Sequence, residues 1–402
     1  MKVLFHFMHN PWPPRSGAHR RCLRMLDDFV GAGAEVVFAS SRSHSEQLWT
    51  DAAKTSLEAK GISKVAVHSP RWFHKKIDKW IPRPNLTPGI QRIFNDQHCD
   101  IYYKAWFHRL VERENPDLIF INYAWFDQLV LHDKWAGIKT AIETHDFLLL
   151  NKVYQDKAYE LLALREAGAK PEEVYNLRLM AEIPFPDIDS EMQIYDRYDK
   201  TIAISAVDSY VLKKNLKISE VSLIPIGEKP RNIDNQYREG IVLSMGPNPF
   251  NQLALGFFCE QVWPLVRKLN SRVRAFITGS VEAPCPIPDG VEHLGLVDNL
   301  EQLFEKVKFA ISPVFIGTGQ QVKIVEYLAC GLGVVALDIS TVSPLLKNGI
   351  NGVLAKDSKE MAHAIAGLYD DDFRCRSYGT AARETIAVDH RQNNYFKKAF
   401  CN

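Results

Sequence analysis

Long apolar runs are missing from this 402-residue chain: no stretch of about 18 apolar residues occurs, and the opening Met1-Lys2-Val3-Leu4-Phe5-His6-Phe7 is too short for the apolar core of a secretion signal. Neither a transmembrane helix nor export is expected, and the sequence reads as cytoplasmic. Net charge is missing too. Lys plus Arg number 49 against 48 Asp plus Glu, which leaves +1 and no global field to attract nucleic acid. Cysteine is sparse: the seven residues between Cys22 and Cys401 never fall into CxxC or Cys/His ligand spacing, so no disulfide framework or zinc site is indicated. No paired-aspartate metal motif, internal repeat or low-complexity tract is visible. The segment His9-Asn10-Pro11-Trp12-Pro13-Pro14 lacks the GxGxxG that a nicotinamide dehydrogenase needs after its first strand.

What is present is a globular composition, 46% hydrophobic and 24% charged. The length suits two domains of roughly 150 to 200 residues, which implies a cleft between them. Short runs rich in Val, Ile and Phe alternate with segments of helical period, the pattern of parallel sheets covered by helices. Strands are expected at 3–7, 35–39, 65–68, 118–122, 140–143, 201–204 and 221–224, and in a second series at 241–244, 274–278, 291–294, 309–311, 334–337 and 352–354. The Pro- and charge-rich stretch 225–235 reads as the connection, with a boundary near residue 230: domains 1–230 and 231–402. Residues 147–199 read as a long helical insertion broken by Pro184 and Pro186. The helical tail 370–402 either completes the second domain or crosses back to the first.

The stretch Ser312-Pro313-Val314-Phe315-Ile316-Gly317-Thr318-Gly319-Gln320-Gln321-Val322-Lys323-Ile324-Val325-Glu326 reads as strand, glycine loop and helix. Gly317 and Gly319 remove side chains where a ligand approaches the backbone, and the next helix aims free amide donors and its positive dipole end at the same place. Lys323 is expected about one turn inside that helix and Glu326 one turn further, on one face and about 4.5 Å apart along the axis. A lysine neutralises phosphate, and a carboxylate accepts hydrogen bonds from vicinal ribose hydroxyls. Val322, Val325 and Leu328 are left for the core. The plainer alternative is an exposed helix ion pair after a glycine turn.

This order of elements resembles the donor-site signature of family 4 (group 1) glycosyltransferases, in its Gly-Thr-Gly, Lys, Glu variant. Other positions resemble that family in the same order: Pro13-Pro14-Arg15-Ser16-Gly17 its acceptor-side loop, Thr144-His145-Asp146 its mid-domain histidine motif, Thr201 to Ser205 the strand and serine near the end of its first domain. Gly246-Pro247-Asn248-Pro249-Phe250-Asn251 resembles the loop opening its second domain, and the strand from Val291 with Gly295 the part that touches the base. The resemblance implies the GT-B fold, two Rossmann-like β/α/β domains facing a central cleft. It implies transfer of a hexose or related sugar from a nucleoside diphosphate sugar to a glycan or glycolipid hydroxyl, with retention and commonly without a metal or cofactor. It makes Gly17, Gly246, Asn248, Asn251, Gly295, Gly317, Thr318, Gly319, Gln320, Gln321, Lys323 and Glu326 the nucleotide-sugar residues, with His145 and Lys323 in the chemistry and His145 over the donor sugar. Two departures stand out. The commoner pattern carries a glutamate before the glycine loop, where this chain has Ile316, and an arginine and a lysine where it offers Asn248, Asn251 and Gln252.

Rival readings remain open. His145 beside an aspartate at a strand end also suits a purely structural histidine. A sugar-nucleotide epimerase shares the architecture but needs paired acid and base carboxylates, and a non-catalytic partner subunit accounts for Ile316. The basic and aromatic segment 71–83, with Trp72, Phe73, Trp80 and Lys75, Lys76, Lys79, reads as a peripheral membrane contact for a lipid-linked acceptor or as a solvated loop.

Overall fold

The computed structural model describes residues 1–14, 16–42, 47–70, 99–135, 137–178, 182–339, 341–392 and 394–401. Two compact units result. The first comprises Met1–Leu149, Asp187–Pro225 and Asn394–Asn402, the second Leu150–Pro186 and Ile226–Asn393.

The first unit is built on strands β1 (Lys2–His6), β2 (Glu35–Ser41), β3 (Lys64–His68), β4 (Leu118–Asn122), β5 (Lys139–Glu143), β6 (Lys200–Ala203) and β7 (Glu220–Leu223). They form one parallel sheet in the order β3-β2-β1-β4-β5-β6-β7. A strand such as Leu118–Asn122 is buried along its whole length, as expected when helices cover both faces. The aromatic core gathers on Phe5, Phe29 and Phe120, with Phe5 and Phe120 stacked at 4.9 Å. The last helix, Asn394–Phe400, joins this core: Phe396 meets Phe29 edge-on at 4.9 Å.

The second unit carries β8 (Ile241–Ser244), β9 (Ala275–Thr278), β10 (Val291–Gly295), β11 (Phe309–Ser312), β12 (Val334–Leu337) and β13 (Gly352–Ala355), again all parallel, in the order β10-β9-β8-β11-β12-β13. Of the helical insertion expected at 147–199 within a first domain 1–230, the part 150–186 groups with this unit. The reason is apolar burial: Ala158, Leu161, Val174 and Tyr175 sit in the second core. Tyr175 also donates to Glu260 Oε2 (3.0 Å), which Arg165 Nε holds at 2.9 Å. The tail divides, the helix Asp372–Gln392 falling in the second unit and Asn394–Asn402 in the first.

Both sheets reverse their strand order beside the first strand of the unit, between β1 and β4 and between β8 and β11. In open parallel sheets ligands bind at the carboxyl ends of the strands at this switch point. The α/β fold with two parallel sheets is thus established, and each unit has one place where a site is expected.

Candidate functional site

In the second unit the loops leaving β8 and β11 meet at the switch point. The β8 loop turns at once into the helix Pro249–Phe257, capped by Asn248, whose Oδ1 accepts the Asn251 backbone N–H at 2.8 Å. Asn251 returns a bond from Nδ2 to the Gly246 carbonyl at 3.1 Å. Asn248 and Asn251 therefore shape the loop with their side chains. Gly279 closes it from below, its ideal Cβ position lying 2.0 Å from the Met245 carbonyl oxygen.

The β11 loop carries the glycines. A Cβ on Gly317 would have Phe250 Cδ2 as its nearest neighbour at 3.9 Å, which places this glycine beside the start of the β8 helix and leaves the space above it open. Gly319 has φ +69, a left-handed conformation that glycine adopts without cost. Thr318 Oγ1 accepts from Asn151 Nδ2 at 2.7 Å. Gln320 and Gln321 are struts: Gln320 takes the Ile226 N–H on Oε1 (3.0 Å) and gives Nε2 to Ser343 (2.8 Å). Gln321 binds Ser312 and Thr341 at 2.5 and 3.0 Å. Their side chains are spent on holding the loop, so what the loop offers a ligand is backbone.

The helix that follows is Val322–Ala329. Lys323 is its second residue, not one turn inside it, because the extended loop runs on through Gln321, which caps the helix without a side-chain bond. Lys323 therefore belongs to the first turn with its free amide donors, while its ammonium reaches along the helix to Glu326. Glu326 is only 1% exposed, against 40% for the Lys323 side chain, and Lys323 Nζ lies 2.9 Å from its Oε2. This is not the exposed helix pair of the plainer reading. Val325 and Leu328 are buried with Ile324, whereas Val322 is only partly so. Tyr327 locks the helix to the end of β8, its hydroxyl accepting the Ser244 N–H at 2.6 Å. Ile316, where a carboxylate is the commoner residue, is buried in the core. Gly295 ends β10 at φ +66 with nothing within 4 Å of its Cβ position.

In the first unit Gly17 opens the helix Gly17–Gly31, capped by Ser16 Oγ on the His19 N–H (3.3 Å). His145 follows β5 at φ +57 and is buried, stacked face to face on Tyr123, with Nε2 2.9 Å from Asn122 Oδ1 and 3.3 Å from Glu143 Oε2. Asn122 Nδ2 donates to the His6 carbonyl at 2.6 Å, so its Oδ1 is the acceptor and His145 Nε2 carries the proton. Nδ1 is left as an acceptor, and no group among the described residues bonds it. Burial drives the His145 pKa down to about 4; Glu143 opposes that and Arg21 adds to it. The imidazole is neutral at pH 7. The sequence does not reveal Arg21, which grips Glu143 through Nε (2.8 Å) and Nη2 (2.5 Å) and also reaches the Ile224 and Pro225 carbonyls.

Among the described residues no three His, Cys, Asp or Glu side chains assemble as a metal site, and no helix is long and apolar enough to cross a membrane. The segment 71–83 lies outside the described residues.

Residues 239–371 match the family model described as glycosyl transferases group 1, and this span holds the glycine loop, Lys323 and Glu326. The second unit carries a group 1 glycosyltransferase domain. Over 72 residues the chain is 33% identical to the chitobiosyldiphosphodolichol beta-mannosyltransferase of Candida albicans, a stretch that is 17% of this chain and 16% of that protein. The match thus spans under a fifth of the relative's length. Over the whole chain the fold is that of GT-B glycosyltransferases. A TarM variant from S. aureus, solved with fondaparinux, alpha-GlcNAc-glycerol and UDP, superposes with a TM-score of 0.66 at 13% identity, covering 100% of this chain and 99% of its own. HepE from Anabaena, solved with UDP and glucose, gives 0.62 at 16% identity, covering 100% and 98%.

Proposed function

We propose that the chain transfers a hexose or related sugar from a nucleoside diphosphate sugar to a hydroxyl of a glycan or lipid-linked glycan. The observation that carries this is the glycine loop at the β8/β11 switch point, with an open face above Gly317 and with Lys323 and the first-turn amides of Val322–Ala329 beside it. Such a place suits a diphosphate, because amide donors and a lysine meet the charge that grows on it as the glycosidic bond breaks. Glu326 takes the ribose hydroxyls. In the first unit His145, neutral and with Nδ1 free to accept, takes a hydrogen bond from a substrate hydroxyl. Gly17, Gly246 and Gly295 give the backbone room that the substrates need. The reaction is written with retention of configuration and without a metal or cofactor.

UDP in the structures of HepE and TarM makes uridine diphosphate the first nucleotide to try. The acceptor class fits bacterial-type surface polysaccharide or glycoconjugate synthesis at the cytoplasmic membrane surface, with 71–83 as the contact. That contact is checked by vesicle sedimentation of the wild type against a variant with Lys75, Lys76 and Lys79 changed to Glu.

The direct test is thermal unfolding with nucleoside diphosphates, since a ligand at 100 times its Kd adds about 2.7 kcal/mol to the folded state. No shift with any common nucleotide sinks the donor site. Nucleotide binding without hydrolysis or transfer of any nucleotide sugar points instead to a non-catalytic partner subunit, and C4 or C2 inversion of the bound sugar to an epimerase.

A further inference from the structure

The buried carboxylate of Glu326 holds two cations. Lys323 Nζ stands 2.9 Å from Oε2, and Arg231 Nη2 stands 3.9 Å from Oε1. Arg231 belongs to the segment that precedes β8, and its backbone N–H donates to the carbonyl of Ala329, the last residue of the glutamate's own helix, at 2.9 Å. It is thus tied to that helix by main chain as well as charge. Its Nη1 reaches Glu301 Oε1 at 3.4 Å. Tyr327, Cys330 and Glu228 also lie near this carboxylate or its arginine.

The donor site asks two things of Lys323 that compete. The ammonium has three N–H donors, but each one drawn to a diphosphate, and the positive charge with it, loosens its hold on Glu326. Withdrawing it leaves a carboxylate buried without its nearest countercharge, which is strongly unfavourable unless a second cation is already there. Arg231 is such a cation, and its guanidinium stays charged at any working pH.

We propose that Arg231 is a positioning residue: a nucleoside diphosphate draws Lys323 from Glu326 onto phosphate, and Arg231 then holds the carboxylate in place to accept the ribose hydroxyls. This rests on the donor-site reading above. Lys323 answers to the phosphates and Arg231, through Glu326, to the ribose, so the two contributions separate in binding.

The test uses isothermal titration of the full chain with UDP, GDP, ADP and CDP, then with the 2′-deoxy form of the best binder and with inorganic pyrophosphate. The wild type is expected to prefer the ribonucleotide by about tenfold or more, as a hydrogen bond to a charged acceptor implies. In Arg231→Met that preference falls to about twofold or less while pyrophosphate affinity holds, and Arg231→Lys restores most of it. Arg231→Gln serves where the methionine variant melts before binding is read. A full preference retained in both neutral variants overturns the proposal, as does a parallel loss of pyrophosphate binding, which would make Arg231 a general phosphate attractor. If the wild type binds no nucleotide, the donor reading itself has failed; if it binds without preferring ribose, only the role of Glu326 and Arg231 has.

Discussion

The rings of Tyr123 and His145 stack at 3.9 Å between centroids with planes 10° apart, and both residues have positive φ, +69 and +57. Each follows the last residue or two of a neighbouring strand, Asn122 pairing in register with Glu143. Left-handed backbone at two adjacent strand ends costs energy that the surrounding contacts offset, a pattern common at functional sites. It points the His145 imidazole at Asn122 and keeps it dry.

That environment predicts how stability responds to acid. The folded His145 pKa is lowered to about 4 from 6.5, so the unfolded chain takes up the proton first. The stabilisation is complete above pH 6.5 and lost as pH falls towards 4, about 3 kcal/mol in all. His145→Asn, which tolerates the same backbone, removes this part of the acid sensitivity. Urea midpoints of both proteins at pH 7 and 4.5 check it, and an equal loss in both would show that His145 is not buried neutral.

Glu191 predicts the opposite slope. It is fully buried at the start of the helix Leu148–Glu166, where it accepts the Leu148 and Leu149 N–H groups (2.7 and 3.0 Å) and the Tyr195 hydroxyl (2.6 Å). Burial raises its pKa to about 7, the three donors oppose that, and Asp146 adds to it. A raised folded pKa means stability present below pH 4.5 and lost as pH rises through 7, by about 3 kcal/mol. The stability gap between wild type and Glu191→Gln should therefore narrow over that range in denaturant titrations. A widening gap would mean that the donors hold the carboxylate ionised.

The sheets were legible because parallel strands covered on both faces must be short continuous runs of Val, Ile and Phe. Leu118–Asn122 and Val334–Leu337 appear in the structure where the sequence puts them. The glycine loop was legible for a similar reason, since strand, Gly-x-Gly and helix follow one another directly between Phe309 and Ala329. The partners of its side chains were not. Arg231 reaches Glu326 across 95 positions, and nothing local marks such a pair. Asn248 before Pro249 is a helix-start signal that the sequence reading assigned to ligand binding instead. Likewise the helical period of 150–166 says that one face is apolar without saying which core buries it.

The last helix supplies a third prediction. Phe396 is 2% exposed against Phe29, and Phe400 lies 5.0 Å from the same ring. Phe396→Ala should cost about 3 to 5 kcal/mol through lost burial and the cavity left behind. Urea unfolding followed by the far-ultraviolet signal reads it, and a cost under about 1 kcal/mol would show that residues 394–402 only rest on the first unit.

Two glycines near the donor loop should respond in opposite ways to the same substitution. Gly279 has φ +103, and an added Cβ would lie 2.0 Å from the Met245 carbonyl oxygen, a main-chain atom that cannot swing aside. Gly279→Ala must shift the β8 loop and should cost at least about 3 kcal/mol in urea unfolding. At Gly317 the nearest atom to an added Cβ is Phe250 Cδ2 at 3.9 Å, an ordinary contact, so Gly317→Ala meets no clash and should lose only the about 1 to 3 kcal/mol that a φ of +158 costs a residue with a side chain. Its methyl group would instead stand in the open space where the loop backbone meets phosphate. Nucleoside diphosphate affinity should fall by about tenfold in this variant, while the loop-closing role of Gly279 predicts a loss of fold before any loss of affinity in the folded fraction. A Gly317→Ala protein that binds nucleotide like the wild type would reduce this glycine to a turn residue and move the phosphate elsewhere.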